Sequence, residues 1–446
     1  MNRFIVWVTI LCFLLIASNA YGQSKWTIQN SGTTDYLYSV TWTGNQLVAV
    51  GNSGTILTSP DGITWTPQTS GTTRSLQFVS WTGGQVIAVG NSGTILTSPD
   101  GITWTSRTSG TTSPLTYAAW TGTLFIVFSS YSAPSVILTS PDGETWTTRY
   151  SSDSVLGLWS LAMNDSLIVI VGGGNDAVIL TSPDAITWTR QTSPSIDTCN
   201  GLLDITWTGS SFVAVGIESY ILTSPDGFTW TLRRCRYSGA VGDFLASITW
   251  NGNLLATVGE ANYSTYIFTS PDGISWTERS SNGVSGLSVV RWLGNNFVAV
   301  GGSGSILTSS DGIAWTTQTS GTSNALASIA FTGTLYVVVG DGGTILTSPL
   351  DVGIIPGQDG NTKLQNISLK FSGAMFTYTL PSREFVDLGI YSISGKKVAV
   401  LDKGYKAAGE HSVRFNSRTL RAGLYVYRFR AGSYEESGRV MVTKLK

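Results

Sequence analysis

The sequence predicts an all-β protein in two parts: a ring of short four-stranded antiparallel sheets, followed by a small β-sandwich. Three observations carry that expectation. A tryptophan-marked segment recurs between residues 26 and 315, four β-rich runs alternate with turn residues inside each unit, and the last unit lacks a strand that the N-terminus supplies.

The marker reads Ser-Pro-Asp-Gly-x-Thr/Ser-Trp, as in Ser59 to Trp65, and returns with Trp104, Trp146, Trp188, Trp230, Trp276 and Trp315. A lone Trp26 begins the series. Successive intervals are 39, 39, 42, 42, 42, 46 and 39 residues, a period that means stacked or radially arranged units. In the first unit the β-rich runs are Leu37 to Trp42, Gln46 to Val50, Thr55 to Thr58 and Ile63 to Gln68, here named a, b, c and d. Thr43-Gly44-Asn45, Gly51-Asn52-Ser53-Gly54 and Ser59-Pro60-Asp61-Gly62 separate them. Strands this short with turns this regular read as an antiparallel meander.

Strand a recurs with ends at Trp42, Trp81, Trp120, Met163, Trp207, Trp250, Trp292 and Phe331, each preceded five positions earlier by a leucine, Leu37 through Leu326. Sheets that are apolar on both faces need a neighbour on each side, and a closed ring of blades provides one. The expectation is an eight-bladed β-propeller. Its last unit stops after strand c, Thr344 to Ser348, where Leu350-Asp351-Val352 replaces the marker, while Trp26-Thr27-Ile28-Gln29 is a d strand with nothing before it. The N-terminal strand is therefore expected to close the last blade and remove the exposed edges. An open solenoid leaves this split unit unexplained.

Arg3, the apolar run Phe4 to Ile16 and the small residues Ala17 to Ala20 have the order of a secretory signal peptide, assigned to 1–22. The expected location is secreted or on the outer cell surface. The propeller is assigned to 23–352, a linker with Pro356, Gly357 and Gly360 to 353–366, and a β-sandwich to 367–446. With 26 basic and 27 acidic residues the net charge is -1, so no global field exists to hold nucleic acid or an anionic membrane. Once Cys12 is removed, Cys199 and Cys235 remain, a pair suited to one disulfide in an oxidising compartment. The only histidine is His411. Histidine-based triads and metal sites are thus absent from the repeats, and no cofactor or metal is expected.

The Asp-Gly turn has a structural reading: aspartate accepts hydrogen bonds from nearby amides, glycine allows positive φ, and the tryptophan packs between blades. The marker resembles the Asp-box (BNR-like) repeat of sialidases, sortilin-type receptors and photosystem II assembly factors, shortened by one residue. In those families the box is structural and lies away from the ligand. By that resemblance Asp61, Asp100, Asp142, Asp184, Asp226, Asp272 and Asp311 are structural turn residues, not catalysts or metal ligands.

Only some connections vary in length. From the end of a to the end of b the interval is nine residues in every unit, as from Trp42 to Gly51, and from the serine ending c to the next tryptophan it is six. The b-to-c interval runs 8, 8, 11, 10, 8, 11, 8, 8 and the d-to-a interval 16, 16, 16, 17, 19, 20, 16, 16. In an antiparallel blade the b–c and d–a connections share one side of the disc, so the variation falls on one face of blades 3–6. Loops on a rigid scaffold are where binding resides. The ligand-binding candidates there are Tyr131, Trp159, Asp176, Asp204, Tyr220, Arg233, Arg234, Arg236, Tyr237, Tyr263 and Tyr266, with Glu218, Asp243 and Glu260 as further polar groups. Aromatic faces beside carboxylates and arginines suit sugar rings or peptide segments. Cys199 and Cys235 fall in consecutive d–a connections, where a disulfide stiffens the proposed site.

The tail resembles the C-terminal sorting domain of type IX secretion cargo. The matching residues are Phe376 to Pro381, Leu388 to Val398, Gly409-Glu410-His411, Gly423-Leu424-Tyr425 and the basic end at Lys444 and Lys446. The resemblance implies export machinery as a partner. An ordinary Ig-like module that binds or spaces is the alternative.

The expected function is a non-catalytic, monomeric binding propeller recognising an extracellular glycan or protein. The alternative is a sialidase- or xyloglucanase-like glycoside hydrolase, for which Asp204 with Glu218 or Glu260 would supply the paired carboxylates. Arg291 is the only arginine on an a strand, which argues against a sialidase-like site that needs several.

Overall fold

The computed structural model describes residues 26–130, 134–154, 156–174, 176–194, 201–235, 243–261 and 264–350 of the repeat region. In the tail it describes 368–372, 375–380, 384–392, 397–406, 409–415, 423–431 and 434–442. The expected signal peptide and linker lie outside the described residues. The chain divides into two compact units, Met1–Leu350 and Asp351–Lys446.

The first unit holds eight four-stranded antiparallel sheets, numbered 1 to 8 in chain order. Sheet 1 comprises Leu37–Trp42, Leu47–Gly51, Ile56–Ser59 and Thr66–Gln68 in the order a-b-c-d. Strand d starts three residues later than the sequence suggests. Asp61 Oδ1 accepts the N–H groups of Ile63 (2.8 Å) and Thr64 (2.9 Å), so both residues belong to the turn instead. Sheet 8 takes Leu326–Phe331, Leu335–Gly340 and Ile345–Pro349 as its first three strands and Thr27–Gln29 as its fourth. Thr27 faces Thr347 and Gln29 faces Ile345 in that pairing.

Between the sheets lie the hydrophobic cores. Leu37, Val40 and Leu47 of sheet 1 pack with Ala330, Val337 and Val339 of sheet 8, so the first sheet buries its face against the last. The b strands are buried along their whole length, as in Leu47–Gly51 and Val86–Gly90. A strand with a neighbouring sheet on both faces has no polar side, which explains its continuous apolar sequence.

Every a strand carries the same irregularity. Its pairing register with strand b shifts between the buried leucine and the residue two positions on, at Leu37/Ser39 in sheet 1 and at Leu202/Asp204 in sheet 5. A bulge of this kind re-aims the side chain that follows it. The third residue consequently reaches its neighbours: Ser39 Oγ accepts the N–H of Val79 (3.3 Å), and Ser328 Oγ accepts that of Val40 (3.3 Å).

The second unit is two antiparallel sheets around one core. Three strands, Ser368–Ser372, Met375–Leu380 and Gly409–Arg414, form one sheet, and Glu384–Ser392, Lys397–Lys406, Gly423–Ala431 and Tyr434–Val442 form the other. Phe376, Tyr378 and Leu380 alternate inward to meet Val386, Leu388 and Phe429. His411 stacks on Tyr378 at 5.2 Å. Among the described residues no helix is long and apolar enough to cross a membrane.

Candidate functional site

The bulged a strands bring polar and charged groups together from four sheets. Asp204 is 8% exposed, and its carboxylate is surrounded by donors. Oδ1 accepts Ser160 Oγ of sheet 4 (2.7 Å) and the N–H of Ile205 (2.9 Å). Oδ2 accepts Ser247 Oγ (3.0 Å) and the N–H of Ile248 (2.9 Å), both in sheet 6. Arg291 Nη1 of sheet 7 lies 3.6 Å from Oδ2 and donates to Ser247 Oγ (2.7 Å) and the Val290 carbonyl (2.8 Å). Tyr117 of sheet 3 feels both charges: burial first, then the Asp204 anion, push its phenol up to about 12, while the Arg291 cation works the other way. A carboxylate whose acceptor positions are filled by protein donors ties sheets together. It has no free lone pair with which to take a proton from a substrate.

The face of the b–c and d–a connections divides into two halves. Sheets 1, 2, 7 and 8 share a three-residue turn, Asn52–Gly54, Asn91–Gly93, Gly302–Gly304 and Asp341–Gly343. Sheets 3 to 6 depart from it, and in sheet 6 the b–c hairpin extends until Ala261 pairs with Ser264.

Several candidates on this face serve the fold. Tyr220 is fully buried and donates to the Pro194 carbonyl at 2.6 Å. Arg233 Nε donates to Thr223 Oγ1 (2.7 Å), repeating the clasp that Gln68 makes to Thr58 and Arg107 to Thr97. Trp159 is half-buried beside Gly157, while Asp176 is exposed in the b–c connection of sheet 4.

Others converge at the junction of sheets 5 and 6. Arg234 lies over the Phe268 ring at 4.3 Å, and Tyr266 packs on that ring at 5.5 Å. Glu218 and Ser219 hold positive φ, 57° and 52°, in a turn where the Glu218 N–H donates to the Asp243 carbonyl (2.7 Å). Glu260 faces Phe244 on one side and Thr265 on the other. Ser219 Oγ, Asp243 Oδ1 and Thr265 Oγ1 are buried without a hydrogen-bond partner among the described residues. Such atoms are costly to bury unsatisfied. Cys235 at the same junction is disulfide-bonded, and its expected partner Cys199 lies outside the described residues, as do Tyr131, Arg236, Tyr237 and Tyr263.

On the opposite face the marker turns act as self-contained units. Asp100 Oδ1 accepts the N–H groups of Ile102 (2.9 Å) and Thr103 (2.7 Å) and Ser98 Oγ (3.0 Å). The Thr103 amide, offset in part by burial and assisted by the Ile102 amide, holds this carboxyl below its usual range. The same shift occurs at Asp61, Asp142, Asp184, Asp226, Asp272 and Asp311. Each marker tryptophan from Trp65 to Trp315 donates its indole N–H to the carbonyl three residues back, as Trp65 does to Gly62 at 3.0 Å. Trp26 has no marker turn before it. Its Nε1 is buried without a partner among the described residues.

Clefts occur outside the predicted region. Two polar clefts of about 780 and 670 Å³ lie on the b–c/d–a face at sheets 1 and 2, and their linings correspond at a 39-residue offset, Gly32 with Gly71 and Ser70 with Ser109. Their hydroxyls are partly used internally, Ser70 Oγ donating to the Thr72 carbonyl. Two smaller clefts, about 320 and 380 Å³, lie on the marker-turn face and include Trp81 and Trp120. Sequence reasoning used these strand-ending tryptophans only to count units. A legible signal was the placement of so large an aromatic at the solvent end of six a strands.

Among the described residues no group of three or more His, Cys, Asp or Glu could hold a metal ion.

The repeated four-stranded sheets define a β-propeller repeat protein. Sqt1 of Saccharomyces cerevisiae is similar with a TM-score of 0.59 at 11% identity, over 74% of this chain and 99% of that one. The computationally designed Ika8 protein gives 0.58 at 14% identity, over 74% and 100%. YCF48 bound to D1 peptide gives 0.49 at 16% identity, over 76% and 98%. The likeness to Sqt1 and Ika8 shows the fold alone. No protein-family model matches the chain, and no curated protein matches it.

Proposed function

We propose that this protein is a secreted, non-catalytic binding propeller of eight blades, closed by its N-terminal strand, that recognises an extracellular glycan or protein. The blade count rests on the eight sheets and on the packing of sheet 1 against sheet 8. The Ig-like tail acts in export, a role supported by its resemblance to sorting domains and by its two-sheet core. The N-terminal apolar segment acts as the signal peptide, and Cys199 pairs with Cys235.

The observation that carries the binding reading is the concentration of unsatisfied buried polar atoms at the sheet 5–6 junction, Ser219 Oγ, Asp243 Oδ1 and Thr265 Oγ1, beside Arg234 and Tyr266. A polar ligand or the waters that bridge to it would satisfy them. The filled coordination of Asp204 counts against the hydrolase alternative.

Glycan-array and extracellular-protein binding, measured together with a reducing-sugar assay, tests this reading. Binding that falls at least tenfold in Asp243→Ala and Tyr266→Ala, with no reducing ends released, is the expected outcome. Turnover abolished by Glu218→Gln or Asp204→Asn sinks it.

A further inference from the structure

The protein contains two sets of blade tryptophans with opposite chemistry. The outer set closes its own turns, its indole N–H groups spent on backbone carbonyls. The inner set, Trp42, Trp81, Trp120, Trp207, Trp250 and Trp292, ends the a strands and is half-buried. None of these six indole N–H groups has a hydrogen-bond partner among the described residues, and none is a buried unsatisfied atom, so each reaches solvent.

Two of the six line clefts, and the clefts are copies of one another. In the first, Trp81 stands between Pro60 and Pro99 with Asp100 and Ile102 at the rim. In the second, Trp120 stands between Pro99 and Pro141 with Asp142 beside it. A glutamine from the neighbouring a–b turn closes each: Gln46 Nε2 donates to the Asp100 carbonyl and Gln85 Nε2 to that of Asp142 (2.9 Å). Each carboxamide nitrogen keeps a second N–H, so the rim offers donors, those and the indole N–H, beside the acceptor oxygens of Asp100 and Asp142.

We propose that these clefts are repeated stacking subsites for the pyranose rings of a neutral polysaccharide, on the face opposite the variable loops. A half-exposed indole offers an apolar face and one donor, the combination found where one side of a partner is apolar and the other wet. A sugar ring presents an apolar face edged by hydroxyls, each able to donate to the rim acceptors. The two carboxylates are held ionised by their own turns, which repels acidic polymers. No lysine or arginine lines either cleft to offset them. Exposed Ile63, Ile102, Ile186, Ile274 and Ile313, 44–59% accessible, extend the apolar surface around the same turns. Repetition from blade to blade lets weak subsites add along one chain.

Affinity electrophoresis and calorimetry of the full chain against laminarin, galactomannan, xyloglucan, dextran and polygalacturonate test the proposal. One neutral polymer binds, polygalacturonate does not, and binding quenches or shifts tryptophan fluorescence. The double variant Trp81→Leu/Trp120→Leu, which keeps apolar side chains against the cores but removes the indoles, weakens binding about tenfold or more. If that variant does not fold, Trp120→Phe serves, with a smaller loss and an unchanged melting midpoint. Three results overturn the assignment: no neutral polymer binds; a proline-rich peptide binds these tryptophans in its place; or sugar binding survives the Trp variants and falls with Tyr266→Ala, which locates it on the opposite face.

Discussion

Asp204 Oδ2 accepts the backbone N–H of Ile248 at 2.9 Å, a bond that crosses from sheet 5 to sheet 6 and repeats in charged form what Ser39 does for Val79. One residue type at one bulge thus turns a neutral seam into a junction of four sheets, because the same carboxylate also reaches Ser160 and Arg291. Removing it leaves two hydroxyls and two amides without this acceptor, and Arg291 without its counter-ion. Asp204→Ala is expected to destabilise the propeller by about 3–5 kcal/mol, with Asp204→Asn less harmful because it retains one acceptor. Urea unfolding midpoints measure both; a cost below about 1 kcal/mol for the alanine contradicts the role assigned here.

The paired tryptophans Trp26 and Trp65 offer an internal control. Replacing Trp65 with Phe strands the Gly62 carbonyl, at a cost of about 0.5–1.5 kcal/mol beyond lost packing. Replacing Trp26 with Phe removes an N–H that has no partner among the described residues. Trp26→Phe should therefore be the milder change in thermal melts, and the reverse order refutes the hydrogen-bond account.

Gly62 adopts φ +76°, and a Cβ there would lie 2.6 Å from Leu335 Cδ2 of sheet 8. Gly62→Ala is expected to cost about 1–2 kcal/mol from the backbone alone, plus the repacking of Leu335. Sheet 4 already bears the backbone part of that cost, since Ala185 sits at the equivalent turn position with φ 62°. Ala185→Gly relieves strain but vacates a methyl in the core, so its melting midpoint should move far less than that of Gly62→Ala.

Acid should weaken the marker turns together. Their aspartates have folded-state values below the ordinary 3.8, chiefly through amide donors as at Asp61, where Thr64 and Ile63 donate. A depressed folded value contributes stability that is complete above the unfolded pKa and is lost as pH falls through the folded one. Melting temperature is expected to be flat in this respect from pH 7 to about 5 and to fall below about pH 4. The Asp61→Asn variant should show a shallower fall over that window; an unchanged slope excludes Asp61 as a contributor.

The face pattern was legible because interval lengths are a one-dimensional record of which connections are constrained. Irregular sheets 3 to 6 stand out as clearly in the turns of the structure as in the spacing of Ser129 to Ser140 or Gly259 to Ser270. The roles of individual candidates were not legible. Arg233 was a ligand-binding candidate and clasps Thr223; Tyr220 was another and is a buried strut; Asp204, a candidate ligand contact and a carboxylate of the hydrolase alternative, is encircled by donors. Each difference arises from contacts with residues 10 to 44 positions away.

By itself the sequence determined the period, the four-strand unit, the transfer of Thr27–Gln29 to the last sheet and the face on which length varies. These are properties of local alternation, turn chemistry and counting. Only the tertiary structure decided which polar side chains are spent and which remain open, because that depends on a neighbouring sheet brought alongside by the bulged a strands. It also separated two populations of tryptophan that are alike as letters. One donates to a carbonyl three residues back; the other packs half-buried against the cores with its indole N–H left open, and two of its members, Trp81 and Trp120, line clefts with prolines of adjacent sheets.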